Sequence, residues 1–384
     1  MLIRLREAVK DILRRSDMAL LGLCLIATMF GIVLIASATN YRSGDFQDRR
    51  VRLQAIGALL GIIAYFIVSN VDIEHLYEKW PLFLLFNFGF IALLLKFGVD
   101  DGTGNRAWLK FSWLPMSIQP AEVVKLSYTV LLAKQLAWFR DRKQMKGLDS
   151  LAFPAGHAGI MFVWIYLLSQ DAGSGLIYLF IYAGMALAAG LAWYWFAAGF
   201  TVMGLGVGGL ILFDKLPTYW VNRILIIFDH SFNSDIAWQQ TRSMLALGSG
   251  GLFGQGLFKG IQTQSAGGLP ERQTDFIFAV CGEELGMVGC LLIILLEFLI
   301  VYRCFQTARL AHSTMDALIC IGFGSMLIAQ VVINIGMCLF VVPVIGLTLP
   351  FFSYGGSSIV TLYIAMGLVS GVRSRTLPDW LRKT

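Results

Sequence analysis

The residues Leu269 to Gly289 read LPERQTDFIFAVCGEELGMVG and place three acidic side chains, Asp275, Glu283 and Glu284, on or beside the start of an apolar helix. The apolar stretch continues over 276–302, and a helix needs only about 20 such residues to cross the hydrocarbon core of a bilayer. Charged side chains at membrane depth are costly and usually face a protein interior or a wet cavity. This segment therefore predicts a membrane-spanning helix whose carboxylates have a specific partner or function.

The rest of the chain also predicts a membrane-embedded fold. Hydrophobic residues make up 57% of the sequence and charged residues 14%, whereas soluble proteins are about 45–50% apolar and about 25% charged. We predict an all-α polytopic membrane protein with a single domain over residues 1–384, a tight turn near Gly190 to Trp193, and a long outer loop at 214–275. The ten predicted spans are approximately 18–39, 53–70, 80–97, 121–139, 151–169, 174–192, 193–213, 276–302, 315–341 and 355–372.

Basic residues set the predicted orientation of these spans. The apolar run after the basic N-terminal segment has about 20 residues, which is longer than the about 7–15 of a signal peptide, so it is predicted to remain as the first span. Lys and Arg in the short loops place both termini in the cytoplasm. Arg42, Arg49, Arg50 and Arg52, between spans one and two, argue for the opposite orientation.

Several functional classes find no support in the sequence. The net charge of +6 is spread along the loops without a basic stripe interleaved with aromatic residues, so no nucleic-acid partner is predicted. The six cysteines fall inside predicted spans without a C-x-x-C pair, and the four histidines lack metal-ligand spacing. These patterns predict neither a disulfide framework nor a zinc site.

The outer loop at 214–275 contains two helix-like patterns, YWVNRILIIFDH at 219–230 and IAWQQTRSMLAL at 236–247, followed by the glycine run GSGGLFGQGLFKG at 248–260. The glycine spacing matches neither dinucleotide-binding nor phosphate-loop motifs. The favoured interpretation is a sharp chain reversal that needs positive φ angles. The alternative is a set of backbone amides that touch an anionic substrate.

Two further outer connections carry candidate site residues. Gln119-Pro120 predicts a helix start, and Glu122 and Lys125 then share one helix face near the outer end of the fourth span. They form either a functional pair on a cavity wall or a structural ion pair. The last outer connection, before the tenth span, is uncharged and contains Pro343 and Pro350. Irregular backbone at membrane depth survives where protein or a wet cavity satisfies it, so this segment is predicted to line the same vestibule.

Several short motifs occur in order from the first to the tenth predicted span. They are Arg106 and Trp108, Gln119-Pro120-Ala121-Glu122 with Lys125, Asp171 and Gly173, Arg223, LPERQTDFIFA, NIGM, and LPFFSYGGSS with Ser353 and Tyr354. Together they resemble the SEDS family (shape, elongation, division, sporulation) of membrane glycosyltransferases. Within this family, GIQTQS with LPER resembles the elongation member RodA more than the division member FtsW. Four departures from the family pattern are Ala107 between Arg106 and Trp108, an interval to Gln119 that is two residues longer than usual, Ser169-Gln170 in place of Gln-Pro, and Arg242 in place of a glutamine before Ser243.

The resemblance implies polymerisation of lipid II, a disaccharide-pentapeptide on undecaprenyl pyrophosphate, at the outer face of the bacterial cytoplasmic membrane. An α-linked donor that gives a β-linked product implies inversion with one carboxylate base. Asp275 matches the essential acid of the family and is predicted to be this base, with helix capping as the alternative role. Structural hydrogen bonding is the favoured role of the Glu283-Glu284 pair. The candidate substrate contacts are Arg106, Trp108, Glu122, Lys125, Asp171, Arg223, Ser353 and Tyr354.

No cofactor motif is present, although acidic groups around the cavity could hold a divalent cation such as Mg or Mn on the pyrophosphate. The resemblance also implies a class B penicillin-binding protein, a transpeptidase, as partner, together with other membrane proteins of the elongation complex. Two alternative functions remain open at this point. A lipid II flippase would use intramembrane charges and broken helices as a substrate pathway, and a noncatalytic scaffold of a cell-wall synthase would leave Asp275 replaceable.

Overall fold

The computed structural model describes residues 16–43, 49–71, 78–99, 105–112, 114, 116–145, 147–213, 218–228, 234–265 and 267–376. Both termini, on which the predicted cytoplasmic orientation depends, lie outside these ranges. A short strand β1 (Gly98–Val99) pairs antiparallel with β2 (Trp108–Leu109). The helices are α1 (Met18–Ser43), α2 (Arg49–Ser69), α3 (Trp80–Ala92), α4 (Leu94–Phe97), α5 (Pro120–Asp141), α6 (Leu148–Ser169), α7 (Ala172–Ala189), α8 (Trp193–Leu212), α9 (Thr218–Phe228), α10 (Ser234–Gly250), α11 (Ile261–Gln264), α12 (Ile277–Leu310), α13 (Thr314–Cys338) and α14 (Gly356–Thr376).

Nine helical segments within the described ranges are long and apolar enough to cross a membrane. They are α1, α2, α3 with α4, α6, α7, α8, α12, α13 and α14, and they agree with nine of the predicted spans. The remaining predicted span, 121–139, is the 22-residue helix α5. Most of α5 is buried against α3, α6, α7, α13 and α14. Neighbouring helices therefore shield Glu122 and Lys125 from lipid, whereas Arg140 and Asp141 at the end of the helix are exposed.

Small residues allow close packing at the centre of the bundle. Helix α14 is buried along most of its length and packs along α2. A Cβ atom added at Gly61 would lie 2.7 Å from the Tyr363 ring, and one at Gly57 would lie 2.8 Å from the Ile359 side chain. Small residues at such crossings let helix backbones approach closely in membranes.

The turns at the ends of the spans follow local sequence. Helix α7 ends at Gly190, whose φ of 100° is the left-handed geometry that glycine adopts without a steric penalty. The predicted turn between spans six and seven is therefore confirmed. Pro120 occupies the first turn of α5, as predicted. The two helix-like patterns of the outer loop form α9 and α10.

Helix α12 is broken at Gly286, which has φ 67° and ψ −163°. A break of this kind frees backbone groups that must find partners at membrane depth. The glycine run supplies them, and its own chain reversal uses positive φ at Gly251, Gly254 and Gly256. The bonds are Gln255 N–H to Glu283 O (2.9 Å), Gly256 N–H to Glu284 O (2.9 Å), Met287 N–H to Gly251 O (2.9 Å) and Val288 N–H to Leu252 O (3.2 Å). The predicted chain reversal is thus confirmed, and its backbone groups pair with those that the break in α12 leaves free.

Candidate functional site

Asp275 lies in a tight turn immediately before α12. Three successive backbone N–H groups, those of Thr274, Asp275 and Phe276, point at the carbonyl of Glu271 at 3.1, 3.1 and 3.3 Å. Asn334 of α13 donates from Nδ2 to the Asp275 carbonyl at 2.8 Å. The backbone on both sides of the carboxylate is therefore held, while the side chain remains partly exposed to solvent.

The electrostatic surroundings of Asp275 favour its protonated form. Burial raises the pKa of the Asp275 carboxyl to about 7, and the negative charges of Glu271 and Asp171 push it in the same direction, against a smaller lowering by the Thr274 hydroxyl. A carboxylate with a pKa near the working pH is well suited to accept a proton during a reaction. Asp275 can therefore serve as a general base near neutral pH.

Asp171 caps the N-terminus of α7. Its Oδ1 accepts the Ser174 N–H at 2.9 Å and its Oδ2 accepts the Ser174 hydroxyl at 2.6 Å. Gln119 donates from Nε2 to Asp171 Oδ2 at 2.9 Å and so joins the start of α5 to the start of α7. Burial raises the pKa of the Asp171 carboxyl, and these hydrogen bonds oppose the shift. Asp171 thus has a structural capping role as well as a place near Asp275.

Glu122 and Lys125 form a buried ion pair on the first turn of α5, with Nζ and Oε1 2.6 Å apart. The side chains are only 6% and 2% exposed. The Ser358 hydroxyl lies 3.3 Å from the second carboxylate oxygen of Glu122. The predicted common face is therefore present, and the pair connects α5 to the start of α14.

The uncharged segment 341–350 contacts several of these groups, and the common vestibule stays a prediction. Arg223 of α9 donates to the Val344 carbonyl, and Asn334 donates to the Leu347 carbonyl at 2.7 Å. A Cβ atom added at Gly346 would lie 3.8 Å from Asp275 Oδ2. Gly173 packs so closely against the Ile345 carbonyl that any side chain there would collide with it. The segment therefore runs between α7, α9 and the turn that carries Asp275.

The remaining predicted contacts occupy two places. Trp108 is half-buried in β2, and Arg106 is exposed just before it. Leu109 and Ile118 exchange backbone hydrogen bonds at 2.8 and 3.0 Å, which brings this strand to the start of α5. No hydrogen bond from Arg106 or Trp108 to Asp275 occurs in the part of the chain that the structure describes.

Ser353 and Tyr354 hold the turn that carries Asp275 by hydrogen bonds. The Ser353 hydroxyl donates to the Thr274 carbonyl at 2.5 Å and accepts the Leu349 N–H at 2.8 Å. The Tyr354 N–H donates to the Gln273 carbonyl at 2.8 Å. The Ser353 side chain thus positions Asp275 through the preceding residue, and its role as a substrate contact stays a prediction.

Glu283 and Glu284 are completely buried and hydrogen-bonded, which agrees with their predicted structural role. Glu283 accepts the N–H groups of Gln262 and Thr263 at 2.6 and 2.8 Å and so caps the N-terminus of α11. Glu284 accepts hydrogen bonds from the Ser37 hydroxyl at 2.6 and 2.7 Å. These bonds fasten the glycine run and α11 to α12 and α1.

Three residues that sequence reasoning did not single out also shape the site. Arg272 is buried and donates to the carbonyls of Thr263 and Ser265, at the other end of α11 from Glu283. In the sequence, Asn334 occurs within the NIGM motif and Glu271 within the LPER motif, and neither was predicted to have a role of its own. Nothing in hydropathy or spacing identifies a side chain that acts by holding a distant carbonyl.

A resident metal finds no preformed site among the described residues. They contain no group of three or more His, Cys, Asp or Glu side chains positioned to hold an ion. The divalent cation that the sequence analysis allows on the pyrophosphate stays a prediction. What the arrangement offers is two neighbouring carboxyl groups with raised pKa values, Asp275 and Asp171, and the charge of the buried Lys125 acts on Asp171.

Comparisons with known proteins cover nearly the whole chain. The model of a cell cycle protein family, FtsW/RodA/SpoVE, matches residues 18–376. Stage V sporulation protein E of Bacillus subtilis (strain 168) is 34% identical over 370 residues, covering 93% of this chain and 96% of that protein. A probable peptidoglycan glycosyltransferase FtsW of Geobacter sp. (strain M18) is 31% identical over 374 residues, covering 94% and 97%.

Solved structures share the fold. One matching chain belongs to a structure of a peptidoglycan synthase complex, which concerns the structural coordination of polymerization and crosslinking. It superposes with a TM-score of 0.78 at 28% identity, covering 95% of this chain and 99% of that one. The rod shape determining protein RodA of Thermus thermophilus superposes with a TM-score of 0.66, at 28% identity, covering 95% and 98%.

Proposed function

Because this chain belongs to the FtsW/RodA/SpoVE family, we propose that it polymerises lipid II into glycan strands by an inverting mechanism with Asp275 as the general base. The chain is a peptidoglycan glycosyltransferase and a multi-pass membrane protein. The observation that carries the proposal is the carboxylate of Asp275, held rigidly by its backbone and raised in pKa to about 7.

The proposed reaction joins two lipid-linked sugars. The 4-hydroxyl of the acceptor GlcNAc attacks the anomeric carbon of the donor MurNAc, and the bond from that carbon to the pyrophosphate oxygen breaks. Asp275 takes the proton of the attacking hydroxyl as the new bond forms. The undecaprenyl pyrophosphate leaves with the electron pair, and a single displacement inverts the configuration at the anomeric carbon.

Positive groups are needed where charge develops on the leaving pyrophosphate. Lys125 is the buried candidate, and its pairing with Glu122 fixes the position of the ammonium group. Arg223 and Arg106 are the candidates on α9 and on the loop before β2. We further propose that Trp108, Asp171 and Tyr354 contact the sugars or the pyrophosphate, and that a divalent cation accompanies the pyrophosphate.

The cellular setting is part of the same proposal. The site would face the outside of the bacterial cytoplasmic membrane, with both termini in the cytoplasm, and the enzyme would act in cell elongation. The similarity to a chain of a peptidoglycan synthase complex supports a synthase partner. We propose that this partner is a class B penicillin-binding protein that crosslinks the strands, joined by other membrane proteins of the elongation complex.

The decisive experiment is polymerisation of labelled lipid II by the purified chain in detergent, with and without a cognate class B penicillin-binding protein. Asp275→Asn should abolish polymer formation, while the exposed carboxylate variant Asp141→Asn should retain it. Polymer formation needs no second compartment, so activity in detergent would set a flippase aside. Polymer formation by Asp275→Asn at the parental rate would point to a different base, whereas no polymer formation by the parent chain would favour the flippase or the scaffold.

A further inference from the structure

Helix α10 makes side-chain hydrogen bonds on its inward face and exposes large apolar side chains on its outward face. Its inward face bonds to the outer end of α13 through Gln240, which donates to the Met337 carbonyl at 2.9 Å, and Ser243, which donates to the Cys338 carbonyl at 2.9 Å. Its outward face exposes Trp238, Met244 and Leu245. A surface helix in water shows the opposite arrangement.

The apolar outward surface continues past the end of α10. Residues 243–258 contain no charged side chain, and the tip of the glycine run exposes Leu252 and Phe253, the latter to 80%. Contiguous apolar surface of this kind marks contact with a membrane or another protein. The first charged residue after the tip is the exposed Lys259.

The position of this tip along α12 gives its depth. Leu252 bonds to the backbone beside Gly286, and Arg303 pairs with Asp17 at the other end of the helix with a distance of 2.9 Å. Arg303 follows Gly286 by 17 residues, which at about 1.5 Å per residue spans about 26 Å. The hydrocarbon core is about 30 Å thick, and any tilt of the helix shortens its projection. The tip therefore lies within the outer edge of the core if the ion pair marks the inner edge.

We propose that the uncharged segment 243–258, the end of α10 with most of the glycine run, is embedded in the outer leaflet, with Leu252 and Phe253 in contact with lipid acyl chains. The backbone bonds near Gly286 reduce the cost of this burial because they pair four polar groups of the run, the N–H groups of Gln255 and Gly256 and the carbonyls of Gly251 and Leu252. The surface is also continuous with the exposed side chains of Met287, Val288 and Leu291 on the membrane-spanning part of α12.

The proposed insertion fixes the position of the long outer loop along the membrane normal. Glu284 and Glu283 accept the N–H groups of Phe258 and Gln262 at the end of this loop segment. Arg272, close to the turn that carries Asp275, donates to the Thr263 carbonyl of α11. The reacting part of a lipid-linked substrate also lies at a fixed height, since its tail stays in the bilayer. The inference itself depends only on the loop and not on the chemistry assigned to Asp275.

The test places single reporter cysteines in the full chain, because all six native cysteines are buried. Phe253→Cys is compared with Val288→Cys as the lipid-facing control and Lys259→Cys as the water-facing control. Each variant is labelled with an environment-sensitive fluorophore and reconstituted alone into phospholipid vesicles. Quenching is measured with phospholipids brominated on their acyl chains and with aqueous iodide. Leu252→Cys is the second probe of the tip if Phe253→Cys does not fold.

The expected result is that the tip behaves like Val288→Cys, with strong quenching by brominated lipid and little by iodide, while Lys259→Cys shows the reverse. Iodide quenching of the tip as strong as that of Lys259→Cys would overturn the proposal. Protection of the tip from both quenchers would also overturn it and would indicate that a second copy of the chain covers this surface.

Discussion

Replacement of Asp275 by asparagine should remove activity and at the same time stabilise the protein above neutral pH. The amide keeps the shape of the carboxylate and loses its basicity, and loss of a general base typically reduces the rate by about 10²–10⁴. The effect on stability has a separate origin. Burial raises the pKa of Asp275 from 3.8 to about 7, so ionisation of this side chain above pH 7 opposes folding.

The sign and size follow from linkage between proton binding and folding. Between about pH 4 and pH 7 the folded chain holds the proton of Asp275 more tightly than the unfolded chain, so stability from this group falls as the pH rises through that window. At about 1.4 kcal/mol per pH unit the full penalty above pH 7 is about 4 kcal/mol. Solvent contact with the partly exposed side chain reduces the figure to about 2 kcal/mol. Asp275→Asn does not incur this penalty.

The assay is thermal unfolding of the purified protein in detergent at pH 5 and pH 8, alongside polymerisation of labelled lipid II. We expect the Tm of Asp275→Asn to exceed that of the parent by several degrees at pH 8 and by much less at pH 5. Asp141→Asn, which changes an exposed carboxylate, should show no such pH-dependent gain. A destabilised Asp275→Asn at pH 8, or one with near-parental turnover, would refute the reasoning.

Three further predictions concern the surroundings of Asp275. Glu122→Ala and Lys125→Ala should each lower the free energy of unfolding by about 3–5 kcal/mol, because each leaves a buried charge unpaired. A double-mutant cycle on Tm and activity should show strong coupling, and strict additivity would contradict the pairing. Gly286→Ala should lower the Tm severely, because Gly286 has a φ of 67° and the new Cβ would lie 2.5 Å from the Leu252 carbonyl oxygen. The control is Gly206→Ala, whose new Cβ would have nothing within 4 Å and which should leave the Tm unchanged. Asn334→Asp should lower kcat far more than it raises KM, because a carboxylate oxygen then replaces the amide donor that faces the Asp275 and Leu347 carbonyls. An unchanged kcat in steady-state assays would show that Asn334 does not position Asp275.

The positions of the membrane-spanning helices could be predicted from local sequence. A helix that faces lipid must be apolar over about 20 residues whatever it packs against, so nine spans followed from hydropathy. The turn at Gly190 and the start of α5 at Pro120 followed from backbone preferences that act within a few residues. The proposed role of Asp275 rests on a short string of residues matched to a family.

The surroundings of Asp275 depend on contacts between residues far apart in the chain. Asn334 reaches the Asp275 carbonyl across 59 positions and Ser353 reaches the Thr274 carbonyl across 79, and no local pattern predicts which carbonyl a side chain will meet.

The break in α12 and the burial of Glu283 and Glu284 have the same origin. Hydropathy predicts a continuous helix through Gly286, and the glycine run predicts only a chain reversal. Their backbone groups satisfy one another because α10 packs against α12. Local sequence thus determined which segments enter the membrane, whereas the packing of the helices decided where the polar groups find partners, because a hydrogen bond at membrane depth must be made within the protein.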